Sequence, residues 1–251
     1  MKNICTRLGS ALRYLSWSNP VYKWQLMKSL CPNCNGEYFL SLGSDAFMTR
    51  CLKCRANITN LSLIPVVKTH LTSHRIVTCW EMSTYGATLN FLKKSFKIVY
   101  ESEYFPDKDS GEIVDGIMNQ DVQSLSFQDL SIDLITSNQV FEHVPNYIRG
   151  FRECYRVLQK GGALIFSVPL YDSPSTEKLA EIFDGKIIFY SSPEYHDSRT
   201  AGPKSALTFW RHSKHDICKK LMEVGFDAEI VYVTLPNLTI FPTPVVYAVK
   251  N

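Results

Sequence analysis

The stretch from Asp133 to Pro169 constrains this chain more than any other. Asp133 opens a short apolar strand, Leu134 to Thr136, that ends at the polar pair Asn138-Gln139. Glu142-His143 follow at the start of a helix. Arg156 to Gly162 carry the chemistry that stops a helix: a basic last turn, then glycines that accept positive φ. Ala163 to Val168 form a second apolar strand, ended by Pro169. Strand, helix and strand in this order predict two parallel strands joined by a right-handed crossover.

The alternation continues on both sides. Strands are expected near 75–80, 96–101, 113–118, 132–138 and 162–168, and helices near 86–94, 145–158 and 213–224. Two last strands, near 227–234 and 244–249, follow each other without a helix and predict an antiparallel end. Such a pattern folds as an open, mostly parallel sheet covered by helices on both faces. Residues 55–74 read as a connector with one strand-like piece, Leu61 to Val67, interrupted by Pro65.

The chain has 251 residues, enough for one large domain and a small appendage. Its net charge of +3 is too small to argue for nucleic acid by itself. No run approaches the roughly 18 apolar residues of a membrane span, and Arg7 and Arg13 interrupt any signal-peptide core. Ile4, Leu8, Leu12 and Leu15 lie at helical spacing. Residues 1–27 therefore read either as a helix packed on the main domain or as a basic, aromatic-rich surface for peripheral membrane or substrate contact.

Eight cysteines divide into two groups. Cys5, Cys79, Cys154 and Cys218 are scattered, which argues against a secreted disulfide framework and for a cytoplasmic location. Cys31, Cys34, Cys51 and Cys54 form two Cys-x-x-Cys knuckles with 16 residues between them. Four thiolates at tetrahedral reach suit Zn²⁺, and leave no open position for a reacting water, so the expected role is structural. Redox pairs are the competing reading, although a redox motif is more often a single Cys-x-x-Cys. Tyr38, Phe39, Leu40 and Leu42 read as a strand of a zinc ribbon spanning residues 28–60.

The wording of Asp133 to Pro169 resembles the fourth and fifth strands of class I S-adenosylmethionine-dependent methyltransferases of the type 11 kind. Gln159-Lys160 stands where that family has Lys-Pro. The resemblance covers about residues 75–251, with a connector at 61–74 and a substrate lid at 170–212. It implies a Rossmann-like sheet with an antiparallel last strand. It also implies that Glu81 is the acidic residue after the first strand, and that Ser83 and Gly86 stand in the loop that approaches the cofactor. Glu103 would take the ribose hydroxyls, with Glu101 as the fallback. Asp121 would bond the adenine amino group, with the backbone of Val122 beside the ring. Asn138 and Gln139 would lie under the sulfonium; each also reads as a helix N-cap. Only Gly86 in the loop is a glycine, a departure from the family pattern.

Methyl transfer from a sulfonium needs positioning, and a base only where the nucleophile is protonated. His143 follows a strand end that would face the cofactor and is the candidate base. A structural His143, paired with Glu142 or capping its helix, is the competing reading. Tyr195 and His196, with Arg199, Arg211 and His212 nearby, are candidate wall residues of the lid. The expected reaction is methylation of a small-molecule or carbohydrate-like acceptor. A zinc ribbon ahead of a methyltransferase also resembles one group of ribosomal RNA methyltransferases. Arg50, Lys53 and Arg55 make RNA the first alternative, and a non-catalytic binding module is the second.

Overall fold

The computed structural model describes residues 24–43, 45–198, 202–238 and 242–251. The apolar stripe of Ile4 to Leu15 and the side chain of Arg199 lie outside the described residues. Among the described residues no helix is long and apolar enough to cross a membrane.

Three short strands come first: β1 (Gln25–Lys28), β2 (Tyr38–Ser41) and β3 (Thr49–Cys51), paired antiparallel in chain order. Helix α1 (Ile58–His70) follows directly, started by Asn57, whose side chain accepts from the Asn60 backbone at 2.8 Å. This is a correction: the sequence suggested a strand at Leu61 to Val67. α1 is buried on two sides and so shows no polar stripe. One side packs on Phe39, Cys31 and Cys51, and the other on Cys79, Leu134 and Ile165 of the main sheet.

The main sheet contains β4 (Thr78–Glu81), β5 (Ile98–Glu103), β6 (Ile113–Val114), β7 (Ile117–Asn119), β8 (Ile132–Asn138), β9 (Leu158–Ser167), β17 (Phe226–Val233) and β18 (Thr243–Lys250). Its order is β17-β18-β9-β8-β4-β5-β7-β6. Neighbours from β9 to β7 are parallel, and β18 runs antiparallel between β9 and β17, as the sequence predicted. Helices α2 (Ala87–Ser95), α3 (Tyr147–Val157) and α4 (Ile217–Val224) complete the fold. Apolar side chains of α3 and α4, among them Phe151, Cys154 and Leu221, bury against Ile135, Leu164 and Phe166.

Two further expectations are corrected. The strand at 113–118 is a hairpin, because Asp115 and Gly116 both take positive φ (50° and 81°) and reverse the chain. Gly161 and Gly162 do not cap α3. Its last residue, Val157, runs straight into β9, and the glycines lie in a bulge between the pairs Ile132–Leu158 and Leu134–Ala163. A side chain on Gly162 would meet the Asp133 and Gln159 carbonyls at 2.9 Å. The Asp133 carboxylate in turn accepts from the Val77 and Thr78 backbone, each at 2.9 Å, which fixes where β4 starts against β8.

The segment after β9 is built of hairpins rather than open loop. It holds β10 (Leu170–Tyr171), β11 (Glu177–Lys178), β12 (Ala180–Phe183), β13 (Lys186–Phe189), β14 (Tyr195–Ser198), β15 (Gly202–Leu207) and β16 (Trp210–Ser213). Phe209 N donates to the Glu142 carbonyl at 2.8 Å and so ties this segment to the end of β8.

Candidate functional site

Strand order reverses between β4 and β8, and a ligand crevice belongs outside the carboxyl ends of strands at such a point. Two adjoining cavities lie there, of about 460 and 500 Å³. They share Ser83, Tyr85, Asn138, Gln139, His143 and Asp197 as a common wall.

The first cavity follows the ends of β4, β5 and β7, and Glu103, Asp121 and Val122 line it. Glu103 Oε1 accepts from Thr84 N at 3.0 Å and from Thr84 Oγ1 at 2.7 Å, which ties the loop after β4 to the end of β5. Glu101 turns away to an ion pair with Lys93 of α2 at 2.5 Å, so the fallback for the ribose is removed. Asp121 Oδ1 accepts from its own turn, at Gln123 N, 2.8 Å.

The loop after β4 is poor in glycine because it needs only one. Among its residues, Gly86 alone has a positive φ, 114°, just before α2. Ser83 Oγ donates to the Tyr85 carbonyl at 2.8 Å and holds the turn from within. Glu81 lines neither cavity. It is buried beneath the loop, accepts from the Thr136 hydroxyl, lies 3.4 Å from Ser83 Oγ, and burial pushes its carboxyl up to about 8.

The second cavity is walled by both ends of the chain order. Phe47 comes from the cysteine module, Asn57 and Asn60 from the start of α1, Thr88 from α2, and His196 and Asp197 from β14. A line of hydrogen bonds crosses its floor. Ser167 Oγ donates to Asn138 Oδ1 (3.1 Å), Asn138 Nδ2 to Thr88 Oγ1 (3.2 Å), and Thr88 Oγ1 to the Asn60 carbonyl (3.1 Å). Gln139, at φ 55°, donates to Ser167 Oγ at 3.3 Å. Neither Asn138 nor Gln139 is an N-cap; Asn146 caps α3.

His143 belongs to a single 3-10 turn, Phe141–His143, where sequence reasoning expected the start of a helix. Its Nδ1 lies 2.8 Å from the Leu207 carbonyl and must donate to it, so in the neutral ring Nε2 carries the lone pair. Nε2 faces His196 Nδ1 at 3.3 Å. Burial lowers the His143 pKa from its ordinary value, which favours the neutral ring. Glu142 is fully buried beside it, 3.8 Å from Nε2, too far for a hydrogen bond.

The structure brings His143 and His196 together and leaves Tyr195 outside both cavities. It also removes Arg211, which pairs with Glu194 at 2.8 Å, and His212, which is buried edge-on to Tyr147. Arg50, Lys53 and Arg55 line neither cavity. Phe47, Asn57 and Asn60 were missed. Asn57 gave one signal, as a polar residue before an apolar run; Phe47 gave none.

The four cysteines of the N-terminal module converge. Cys31 Sγ lies 3.7 Å from Cys54 Sγ, and Cys34 Sγ lies 3.6 Å from Cys51 Sγ. Zinc–sulfur bonds of about 2.3 Å place the sulfurs of a tetrahedron about 3.8 Å apart, so the four fit such an ion. The hydrogen bond between Cys31 and Cys54 raises the first thiol and lowers the second to about 4. Asn35 and Arg55, at φ 54° and 63°, turn the chain back after each knuckle. Gly36 seals the cluster: a side chain there would stand 3.1 Å from Cys51 Sγ and 3.3 Å from Cys34 Sγ.

Residues 83–166 match the family model described as a methyltransferase domain. No curated protein matches the chain. Among solved structures, an S-adenosylmethionine-dependent methyltransferase from Clostridium acetobutylicum is 13% identical, with a TM-score of 0.50 over 76% of this chain and 91% of that one. Another from Mesorhizobium loti is 16% identical, with a TM-score of 0.48 over 75% of this chain and 98% of that one. The 1,6-didemethyltoxoflavin-N1-methyltransferase of Burkholderia thailandensis is 13% identical, with a TM-score of 0.48 over 77% of this chain and 78% of that one. With the family match laid over this strand order and this strand-end crevice, the chain carries a class I S-adenosylmethionine-dependent methyltransferase domain, preceded by a four-cysteine module.

Proposed function

We propose that the enzyme methylates a small polar molecule, of carbohydrate-like or comparable size, held in the cavity between Phe47 and His196. The observation that carries this reading is the pair of adjoining cavities with one common wall. Each has the volume of a small-ligand site. The second is floored by amide and hydroxyl groups, which suits an acceptor rich in hydroxyls.

S-adenosylmethionine supplies a methyl group on an already activated sulfonium. Glu103 would hold its ribose, Asp121 and the Val122 backbone its adenine, and Asn138 and Gln139 would line the junction through which the methyl passes. Ser83 and Gly86 let the loop backbone come close: nothing lies within 4 Å of where a Gly86 side chain would stand. His143 Nε2 is positioned to accept a proton from an acceptor hydroxyl or amine. His196 faces the same space, and Tyr195 is not retained as a contact.

The four cysteines would hold a structural Zn²⁺. The module is too small to bury a core of its own, and metal binding of about 10–16 kcal/mol would fold it. Phe47 and Asn57, carried by the module and the helix it supports, are then fixed as acceptor wall. Thiols that remain unpaired among the described residues fit a reducing, cytoplasmic location.

The test is transfer from labelled S-adenosylmethionine into a cell extract split into RNA and low-molecular-weight fractions. Label is expected in the small-molecule fraction. Label in RNA overturns the acceptor class and restores the RNA alternative. Calorimetry with S-adenosylhomocysteine checks the cofactor half, where millimolar ligand without heat would refute it.

A further inference from the structure

Glu142 is the most exposed problem in the fold's polar chemistry. Its side chain is 1% exposed, and neither carboxylate oxygen has a hydrogen-bond partner among the described residues. Burying a carboxylate without a partner is costly, and buried charges are normally paired or bound to metal. Two imidazoles at the wall between the cavities stand near it, His143 Nε2 at 3.8 Å. One donor atom each from Glu142, His143 and His196 fall within 4.8 Å of one another.

We propose that Glu142, His143 and His196 form a binding site for a first-row divalent transition-metal ion, distinct from the cysteine cluster. Two imidazoles and one carboxylate are the donor set of such ions, and imidazole disfavours Mg²⁺ and Ca²⁺. Bonds of about 2.0–2.2 Å place neighbouring donors about 3.0–3.5 Å apart. His143 Nε2 and His196 Nδ1 stand at 3.3 Å, His143 Nε2 and Glu142 Oε1 at 3.8 Å, and the third pair lies within 4.8 Å, so side-chain rotation must draw Glu142 and His196 together to close the set.

The groups behind these donors are arranged as they are behind metal ligands. A ligating histidine donates its other ring N–H to a carbonyl or carboxylate, which fixes the tautomer. His143 Nδ1 donates to the Leu207 carbonyl at 2.8 Å. His196 Nε2 faces Glu194 Oε1 at 3.6 Å, and Arg211 holds Glu194 through its other oxygen at 2.8 Å. His143 therefore presents its Nε2 lone pair inward, where His196 Nδ1 donates to it in the metal-free protein; on metal binding the His196 proton would move to Nε2, beside Glu194, and free the Nδ1 lone pair.

Three protein ligands leave coordination positions open, as at catalytic metal sites. His143 and His196 line the second cavity, so the open positions would face an oxygen or nitrogen of the acceptor. That last step rests on the acceptor reading above; the metal site itself does not. With metal bound, the Nε2 lone pair of His143 is engaged, and the residue acts as a ligand rather than as a base.

The experiment is calorimetric titration of the purified full chain, its cysteine cluster kept loaded with zinc and free metal removed by gel filtration, with Mn²⁺ and, separately, Co²⁺. Mn²⁺ discriminates against thiolates and so reports on this site rather than on the cysteines. One equivalent is expected to bind, with affinity at least about tenfold weaker in both Glu142→Gln and His196→Ala, in line with the loss of a ligand. Glu142→Gln keeps the shape of the buried side chain, and His196 sits on a surface hairpin, so both variants should keep the wild-type circular dichroism spectrum. Absence of binding of either ion at millimolar concentration overturns the proposal, as does unchanged affinity in both variants. S-adenosylhomocysteine titrated into the same samples should bind equally in all three. Failure there would strike the cofactor assignment and leave the metal result standing.

Discussion

The two sides of the crevice were built in different ways. The proposed cofactor side consists of the ends of β4, β5 and β7 and the turns that leave them, so its residues follow strands in sequence. The proposed acceptor side gathers Phe47, Asn57, Thr88 and His196, which come from a cysteine module, two helices and a hairpin. The first side is a property of the sheet. The second is a property of what was added around it, and it should be possible to damage one without the other.

The largest effect is expected from Cys51→Ser or from stripping the cysteine cluster. Loss of about 10–16 kcal/mol of metal binding should unfold the module. Turnover should vanish while affinity for S-adenosylhomocysteine stays within about threefold, because the sheet has its own core. Calorimetry and circular dichroism on the same sample measure both. A tenfold loss of cofactor affinity would mean that the two sides are one unit, joined through the contact of Ala87 with Ile58 and Leu61.

Glu81 provides the next test, on the sheet side. Its carboxyl has an ordinary value of 4.5 and is pushed up to about 8 by burial. Between those values the folded state binds more protons than the unfolded one, so this group's contribution is fully present below about 4.5 and is gone above about 8. Melting temperature should fall as pH rises through that window. Glu81→Gln should flatten the fall by an amount on the order of a few kcal/mol. An unchanged pH profile would show that Glu81 is ionised in place.

Glu103→Ala removes the proposed ribose contact and the tie to Thr84. Cofactor affinity should drop about 10–100-fold, as for one or two hydrogen bonds to a charged group. An unaltered Kd would put the ribose elsewhere. Phe47→Ala should do the smallest and most selective damage, a several-fold rise in KM for the labelled acceptor at constant cofactor affinity. Equal KM values would take the module out of the acceptor wall.

The same contrast decides what could be read from the sequence. Strand ends are local: Glu103, Asp121 and Asn138 each close a recognisable apolar run, and all three line the crevice. The loop of Ser83 to Gly86 looked deficient, but its only left-handed residue is its only glycine. α1 was misread because periodicity signals a helix only when one face meets water. Buried on two sides, Leu61-Ser-Leu-Ile-Pro-Val-Val looks like a strand with a flaw, and Pro65 is tolerated inside it. The hairpins after β9 gave little signal because several of their strands are short and exposed, with no inward face to impose alternation. Glu142-His143 was legible as a motif; its partner His196 lies 53 residues away and was paired with it only by folding.

Ser83 and Tyr85 belong to both cavities, and that makes the turn they form a thermodynamic intermediary. Whatever factor the bound cofactor imposes on acceptor affinity, the acceptor must return to the cofactor in equal measure. Ser83 and Tyr85 face both compartments, so a ligand that stiffens this turn from one side lowers the entropy its counterpart must spend on the other. Each substrate then helps to hold its counterpart through a turn that touches both.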